Sequence, residues 1–194
     1  MRKTWLLSVA GALLIFAGSY LAHSIQTTGG VTVRDVRFPA DSGYVLSALL
    51  YTPPSGTPEH RAPAVLVSHG YINTREMQSA FAIELSRRGF VVLSMDMTGH
   101  GYSDGRVGAQ NYGGPAALRY LRSLPMVDTL NVGMEGHSMG GGPVLGAAAA
   151  VPTGYAAMVL EGRPPADSVA PDLEHRPFRA IWPSSSVSMT NSRH

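Results

Sequence analysis

The chain has 194 residues, 44% of them hydrophobic and 14% charged, enough for one domain with a core of its own. Its formal net charge is +2, and its Lys and Arg residues are scattered rather than clustered, which gives no basis for nucleic-acid binding. It contains no cysteine, which excludes disulfides, zinc–thiolate sites and thiol nucleophiles.

Arg2-Lys3-Thr4 precedes an uncharged run from Trp5 to Ala22 that holds only two serines, Ser8 and Ser19. Its length is close to the roughly 20 residues with which a helix crosses a bilayer. Trp5 and Tyr20 lie near its ends, where interface aromatics belong, and the basic pair predicts a cytoplasmic N-terminus with the rest of the chain outside the cytoplasm. A cleaved signal segment, leaving a secreted protein, is the alternative. Ala17-Gly18-Ser19 fits a small-x-small cleavage site, although Tyr20 and Leu21 continue the apolar run beyond it. Residues 1–24 are therefore read as a membrane anchor or signal segment, and the polar, Gly-ended stretch His23 to Gly30 as a linker.

Val31 to Phe38 largely alternates apolar and polar residues, as a half-buried strand does. Pro39 to Gly43 is a turn and Tyr44 to Tyr51 a second strand, which together predict an antiparallel hairpin. After a Pro-rich stretch, Ala64 to Ser68 is a short continuous apolar run, expected of a strand buried on both faces in a parallel sheet. His69-Gly70-Tyr71 follows. Asn73 and Glu76 have capping-box spacing and predict a helix reaching about Arg88, with Met77, Phe81 and Leu85 on one face and Gly89 ending it. Phe90 to Asp96 is the next buried strand, followed by the Gly-rich loop Thr98 to Gly105. Gly114 to Leu124 reads as a helix ended by Pro125, Asn131 to Glu135 as a strand, Gly141 to Ala150 as an Ala-rich helix and Tyr155 to Leu160 as one more strand. This alternation predicts a three-layer α/β domain with a mostly parallel sheet over residues 25–161, preceded by the hairpin.

The most informative stretch is Gly136-His137-Ser138-Met139-Gly140, which has the pattern G-x-S-x-G between a strand and a helix. A serine on so sharp a turn needs neighbours without side chains two residues away on each side. The turn lifts the hydroxyl clear of the sheet and sets it at a helix N-terminus, where backbone N–H groups favour negative charge. Together with His69-Gly70 after the first parallel strand, the strand ending at Asp96 and the loop Gly99-His-Gly-Tyr-Ser103, the chain resembles the α/β-hydrolase superfamily, specifically its serine aminopeptidase and lysophospholipase-like members. The resemblance covers about residues 31–161.

It implies acyl transfer to water, without cofactor or metal, on a small-molecule or peptide acyl substrate. Ser138 is the implied nucleophile, and the backbone N–H groups of Tyr71 and Met139 the implied oxyanion hole. His69, His100 and His137 are assigned to loop structure rather than to the base, and Asp96 to organising the loop after its strand. In this superfamily the triad acid and histidine follow the serine. Glu161, directly ending the last strand, is the candidate acid, ahead of Asp167 and Asp172. Only His175 and His194 remain as bases, and neither lies on a recognisable strand end. Residues 162–194 are rich in Pro and Ser, with only Phe178 to Trp182 weakly strand-like, and read as an irregular or disordered tail. The abrupt change after Gly162 leads to the expectation of a family domain interrupted after its sixth strand, its C-terminal strands and cap missing. The expected function is a serine hydrolase acting on an ester, thioester or amide; an inactive scaffold on the same fold and an acyltransferase are the alternatives.

Overall fold

A computed structural model describes residues 2–27, 30–41 and 43–162. Helix α1, Arg2–Thr27, carries the apolar run, and its stretch Trp5–Ile25 is 21 residues long with mean hydropathy 1.8 and no part of that window buried. One such helix at an N-terminus fits either a membrane span or a signal sequence. The helix runs on through His23 to Thr27, which had been expected to be linker. Nothing there interrupts it before Gly29-Gly30, and Ser24 Oγ–H donates to the carbonyl of Tyr20 one turn back.

The remaining described residues form a six-stranded sheet with helices on both faces. The strands are β1 (Thr32–Pro39), β2 (Val45–Thr52), β3 (Ala62–Ser68), β4 (Val91–Met95), β5 (Val127–His137) and β6 (Ala157–Glu161). Their spatial order is β1-β2-β4-β3-β5-β6. The expected hairpin β1–β2 is present, with Thr32 opposite Thr52 and Pro39 opposite Val45. β2 pairs antiparallel with β4, and β4, β3, β5 and β6 run parallel. The continuous apolar runs are buried as their composition demands: all five residues of β4 are buried, and Ala64, Leu66 and Val67 of β3 are fully so.

Two cores flank the sheet. On one face α3 (Gly114–Ser123) and α4 (Gly141–Ala150) cover Leu46, Leu66, Leu93 and Met95, with Leu118 and Leu121 of α3 completely buried. The small residues Ala147 and Ala148 bring α4 close to the strands. On the other face α2 (Ser79–Arg87) covers Tyr51, Val67 and Val92.

Helix α2 corrects one expectation. The chain first makes a 3₁₀ turn over Arg75–Gln78, and no side chain caps either that turn or α2. Asn73 donates instead to the carbonyl of Tyr71, and Glu76 accepts from Thr74 Oγ1 and Arg75 Nε. The capping box does not form, and its two expected members, Asn73 and Glu76, are engaged elsewhere. The inward face is consequently Ala82 and Ser86, whereas Met77 and Phe81 are 49% and 44% exposed. A second 3₁₀ turn, Ala109–Gly113, precedes α3, and β5 begins at Val127, ahead of the expected Asn131.

Candidate active site

Three segments meet at the C-terminal end of the parallel strands: the elbow after β5, the loop after β3 and the loop after β4. The elbow is a 3₁₀ turn, Ser138–Gly140, that leads directly into α4. Ser138 stands in the left-handed backbone region at φ 53°, a conformation uncommon for a residue with a Cβ. The flanking glycines hold it there. A Cβ on Gly136 would lie 2.4 Å from the carbonyl oxygen of Gly140, and one on Gly140 would lie 2.4 Å from that of Ser68 and 2.6 Å from that of His69. The elbow is thus clamped against the end of β3 by backbone contacts that tolerate no side chain. The result leaves Ser138 exposed while Gly140 beneath it is buried.

The β3 loop reaches the same point. Gly70 lies so close that a Cβ there would meet His137 Cδ2 at 3.1 Å and Ser138 Cβ at 3.6 Å. Tyr71 and Ile72 follow it, 63% and 76% exposed, and Ile72 takes a positive φ of 54°, costly for a β-branched residue. His69 is completely buried. The backbone N–H of Met97 donates to its Nε2 at 3.2 Å, so Nε2 carries no proton and Nδ1–H donates to the carbonyl of Gly70 at 2.8 Å. Burial holds this imidazole below the ordinary histidine pKa, against the opposing hydrogen bond to Gly70. With both nitrogens engaged, His69 ties β3 to β4 and is not free to take a proton from Ser138. His100 packs edge-on against it, ring centroids 5.4 Å apart, with Nδ1 3.3 Å from the carbonyl of Thr98.

Asp96 organises both loops. It is fully buried and accepts the backbone N–H of Arg75 at 2.8 Å and that of Tyr102 at 3.0 Å. Arg75, which the sequence reading passed over, is the cation of this network. Its guanidinium is buried, pairs bidentately with Asp35 of β1 at 3.0 and 2.7 Å, donates to Ser47 Oγ at 2.6 Å and lies 3.6 Å from Asp96. It also lies 5.0 Å from the centroid of the Tyr102 ring. The hydrogen bonds from Arg75 hold the Asp35 carboxyl below the usual carboxylate range.

A second group of charges lies between β5 and β6. His137 pairs in register with Glu161, and His137 Nδ1 lies 3.6 Å from Glu161 Oε2. The Glu161 side chain is 66% exposed. Glu135, two residues earlier on β5 and so on the same sheet face as His137, is 5% exposed, and its Oε2 has no hydrogen-bond partner among the described residues. Burial, reinforced by the charge of Glu161, pushes its carboxyl up to about 7.

The structure therefore brings Ser138, Met139, the Gly70–Tyr71 segment and Glu161 to one end of the sheet. Glu161 meets His137 rather than the serine. Among the described residues no imidazole hydrogen-bonds to Ser138 Oγ and no cluster of metal-ligating side chains occurs. His175, His194, Asp167, Asp172 and the Phe178 to Trp182 segment lie outside the described residues.

Comparison with known proteins agrees with the architecture. Residues 63–186 match the alpha/beta hydrolase fold family, and the chain belongs to that family. The quorum-quenching protein AidA of Acinetobacter baumannii is 37% identical over 123 residues, which is 59% of this chain and 39% of that protein. Among solved structures, hypothetical protein PA2218 of Pseudomonas aeruginosa superposes with a TM-score of 0.60 at 28% identity, covering 69% of this chain and 43% of its own. Est1E of Butyrivibrio proteoclasticus, solved with ferulic acid bound, superposes with a TM-score of 0.54 at 28% identity, over 63% of this chain and 50% of its own. The chain thus spans half the length, or less, of each of these three relatives.

Proposed function

We propose that this protein is a serine hydrolase that cleaves an ester, thioester or amide through an acyl-enzyme on Ser138, and that α1 holds it in a membrane as a single span with a cytoplasmic N-terminus. The observation that carries the reading is the posture of Ser138. Its hydroxyl is exposed at the end of a parallel sheet, its backbone is held at positive φ by glycine contacts, and a helix starts directly behind it.

In the reaction Ser138 Oγ bonds to the substrate carbonyl carbon and the hydroxyl proton passes to a base. The oxyanion then accepts hydrogen bonds from the backbone N–H groups of Met139 and Tyr71, each such donor being worth about 10²–10³ in rate. Collapse breaks the bond to the leaving group, which takes up the proton, and water releases the acid. Glu161 is the candidate acid of the charge chain.

A second reading is a catalytically inactive scaffold. It is favoured by one observation, that no described imidazole touches Ser138 Oγ. A fluorophosphonate probe on the full chain separates the two. The hydrolase reading expects covalent labelling that disappears in Ser138→Ala. Absence of labelling in the unsubstituted chain, under conditions where a control serine hydrolase labels fully, would overturn it in favour of the scaffold.

A further inference from the structure

The register of the sheet fixes where the N-terminal helix joins the domain. Thr32, the first residue of β1, is opposite Thr52, the last of β2, and Tyr51 is opposite Val92 near the start of β4. The chain therefore enters the domain at the N-terminal ends of the parallel strands. Ser138 follows the C-terminal end of β5. The seven residues of β3 separate these two poles by about 23 Å at ~3.3 Å per residue.

The two points are also apart across the sheet. β1 is the first and β5 the fifth strand in spatial order. Four inter-strand steps of ~4.8 Å add about 19 Å in the perpendicular direction. Attachment point and nucleophile thus occupy diagonally opposite corners.

The tether is too short to undo this. Residues 28–31 alone separate the end of α1 from β1, and four extended residues reach at most about 14 Å. Turning the site toward the bilayer would require the tether to run the full height of the sheet. A side-chain contact reinforces the placement: Arg87, in the last turn of α2 just before β4, donates from Nη2 to the carbonyl of Ile25 in α1.

We infer that the elbow opens away from the bilayer that α1 spans, so that the substrate is a water-dispersed acyl compound arriving from the aqueous side and not a lipid drawn from the membrane that holds the anchor. This rests on the reading of the protein as a membrane-anchored hydrolase. The exposed Tyr71 and Ile72 beside the elbow then contact an apolar part of a dissolved substrate rather than acyl chains of the bilayer.

The chain has no cysteine, so single thiols can be placed at will. The full chain is reconstituted in phosphatidylcholine–phosphatidylglycerol vesicles containing a lipid-linked energy-transfer acceptor, with a donor dye on Thr32→Cys, Tyr71→Cys or Ser138→Cys. Transfer from position 32 should be at least about two-fold more efficient than from 71 or 138, as a height difference of roughly 20 Å demands. Two positions at the far pole guard against one of them perturbing the elbow. Transfer from 71 and 138 as strong as from 32 overturns the orientation, and so does recovery of the chain free of the membrane after α1 has been removed during expression. In the same vesicles the unlabelled chain should hydrolyse a short-chain p-nitrophenyl ester and leave a fluorogenic diacyl lipid in the bilayer intact. Preferential hydrolysis of the lipid overturns the substrate class. Turnover of neither, with the transfer pattern intact, overturns the hydrolase reading and the substrate class with it, while the orientation stands.

Discussion

Replacing Glu135 by Gln tests the electrostatics beneath the elbow. Glu135 lies inside the sheet face with one carboxylate oxygen unpaired, and its pKa rises from the ordinary value of 4.5 to about 7. At 1.36 kcal/mol for each tenfold change in proton affinity, the folded state disfavours the ionised form by about 3 kcal/mol. The sign follows from the folded pKa being the higher of the two. Below about pH 4.5 both states hold the proton and no penalty exists. From about pH 4.5 to 7 the unfolded chain loses its proton more readily, so stability falls as pH rises. Above pH 7 both states are ionised and the full penalty of about 3 kcal/mol persists. Glu135→Gln keeps the shape of the side chain and cannot ionise. Urea unfolding of both full-length chains in the same micelles at pH 4.5, 6 and 8 should show the stability of the wild type falling relative to the variant by about 2–4 kcal/mol across the range. Parallel pH profiles would refute the reasoning, since they would mean that Glu135 is solvated or paired in the folded state.

Four further substitutions probe the frame of the site. Gly140→Ala places a Cβ within 2.4 Å of the Ser68 carbonyl oxygen and should destabilise the chain by about 1–3 kcal/mol while abolishing probe labelling of Ser138. Gly133→Ala, on β5 ahead of the elbow with its nearest contact at 3.7 Å, should change stability by less than about 1 kcal/mol and leave labelling intact. Arg75→Met leaves Asp96 buried without its cation and should cost about 3–5 kcal/mol in urea unfolding. Asp35→Asn should cost no more than about 1 kcal/mol, because the Asp35 side chain is 56% exposed.

The features that the sequence made legible are those with local causes. Unbroken apolarity in Phe90 to Asp96 reports burial on two faces, and the strand forms at nearly the expected bounds; Val31 to Phe38 also forms a strand near its expected bounds, but a mostly exposed one in which Phe38 is buried. The elbow was legible because steric exclusion writes itself as glycine at fixed spacing. Arg75 was not, because its partners Asp35 and Asp96 lie 40 and 21 residues away and only the folded sheet brings them together. The chain makes a 3₁₀ turn over Arg75–Gln78 before α2, and of the expected face Met77, Phe81 and Leu85 it is Leu85 that packs against the core while Met77 and Phe81 are exposed. Glu135 was read as the end of a strand. Nothing local distinguishes an exposed strand-end carboxylate from one that β6 and the sheet face enclose.

Positioning and activation of the serine are separable in this fold. The posture of Ser138 depends on backbone contacts to Ser68, His69 and Gly70, and those residues are tied through His69 to Met97 and through Asp96 to Arg75 and Tyr102. All of these belong to β3, β4, β5 and the loops that follow β3 and β4, the central part of the sheet. The acid candidate Glu161 belongs to β6, at the edge of the sheet formed by the described residues, and its carboxylate is largely exposed. A perturbation at the edge should therefore alter how Ser138 is activated while its backbone stays in place, whereas a perturbation of the Arg75–Asp96 frame should move the Gly70–Tyr71 segment proposed as half of the oxyanion hole. The corollary is kinetic. Glu161→Gln should lower the rate of probe labelling without changing stability by more than about 0.5 kcal/mol, and Arg75→Met should lower both together. Equal losses of stability from the two substitutions would show that the edge strand holds the elbow, and would remove the separation argued from the contacts above.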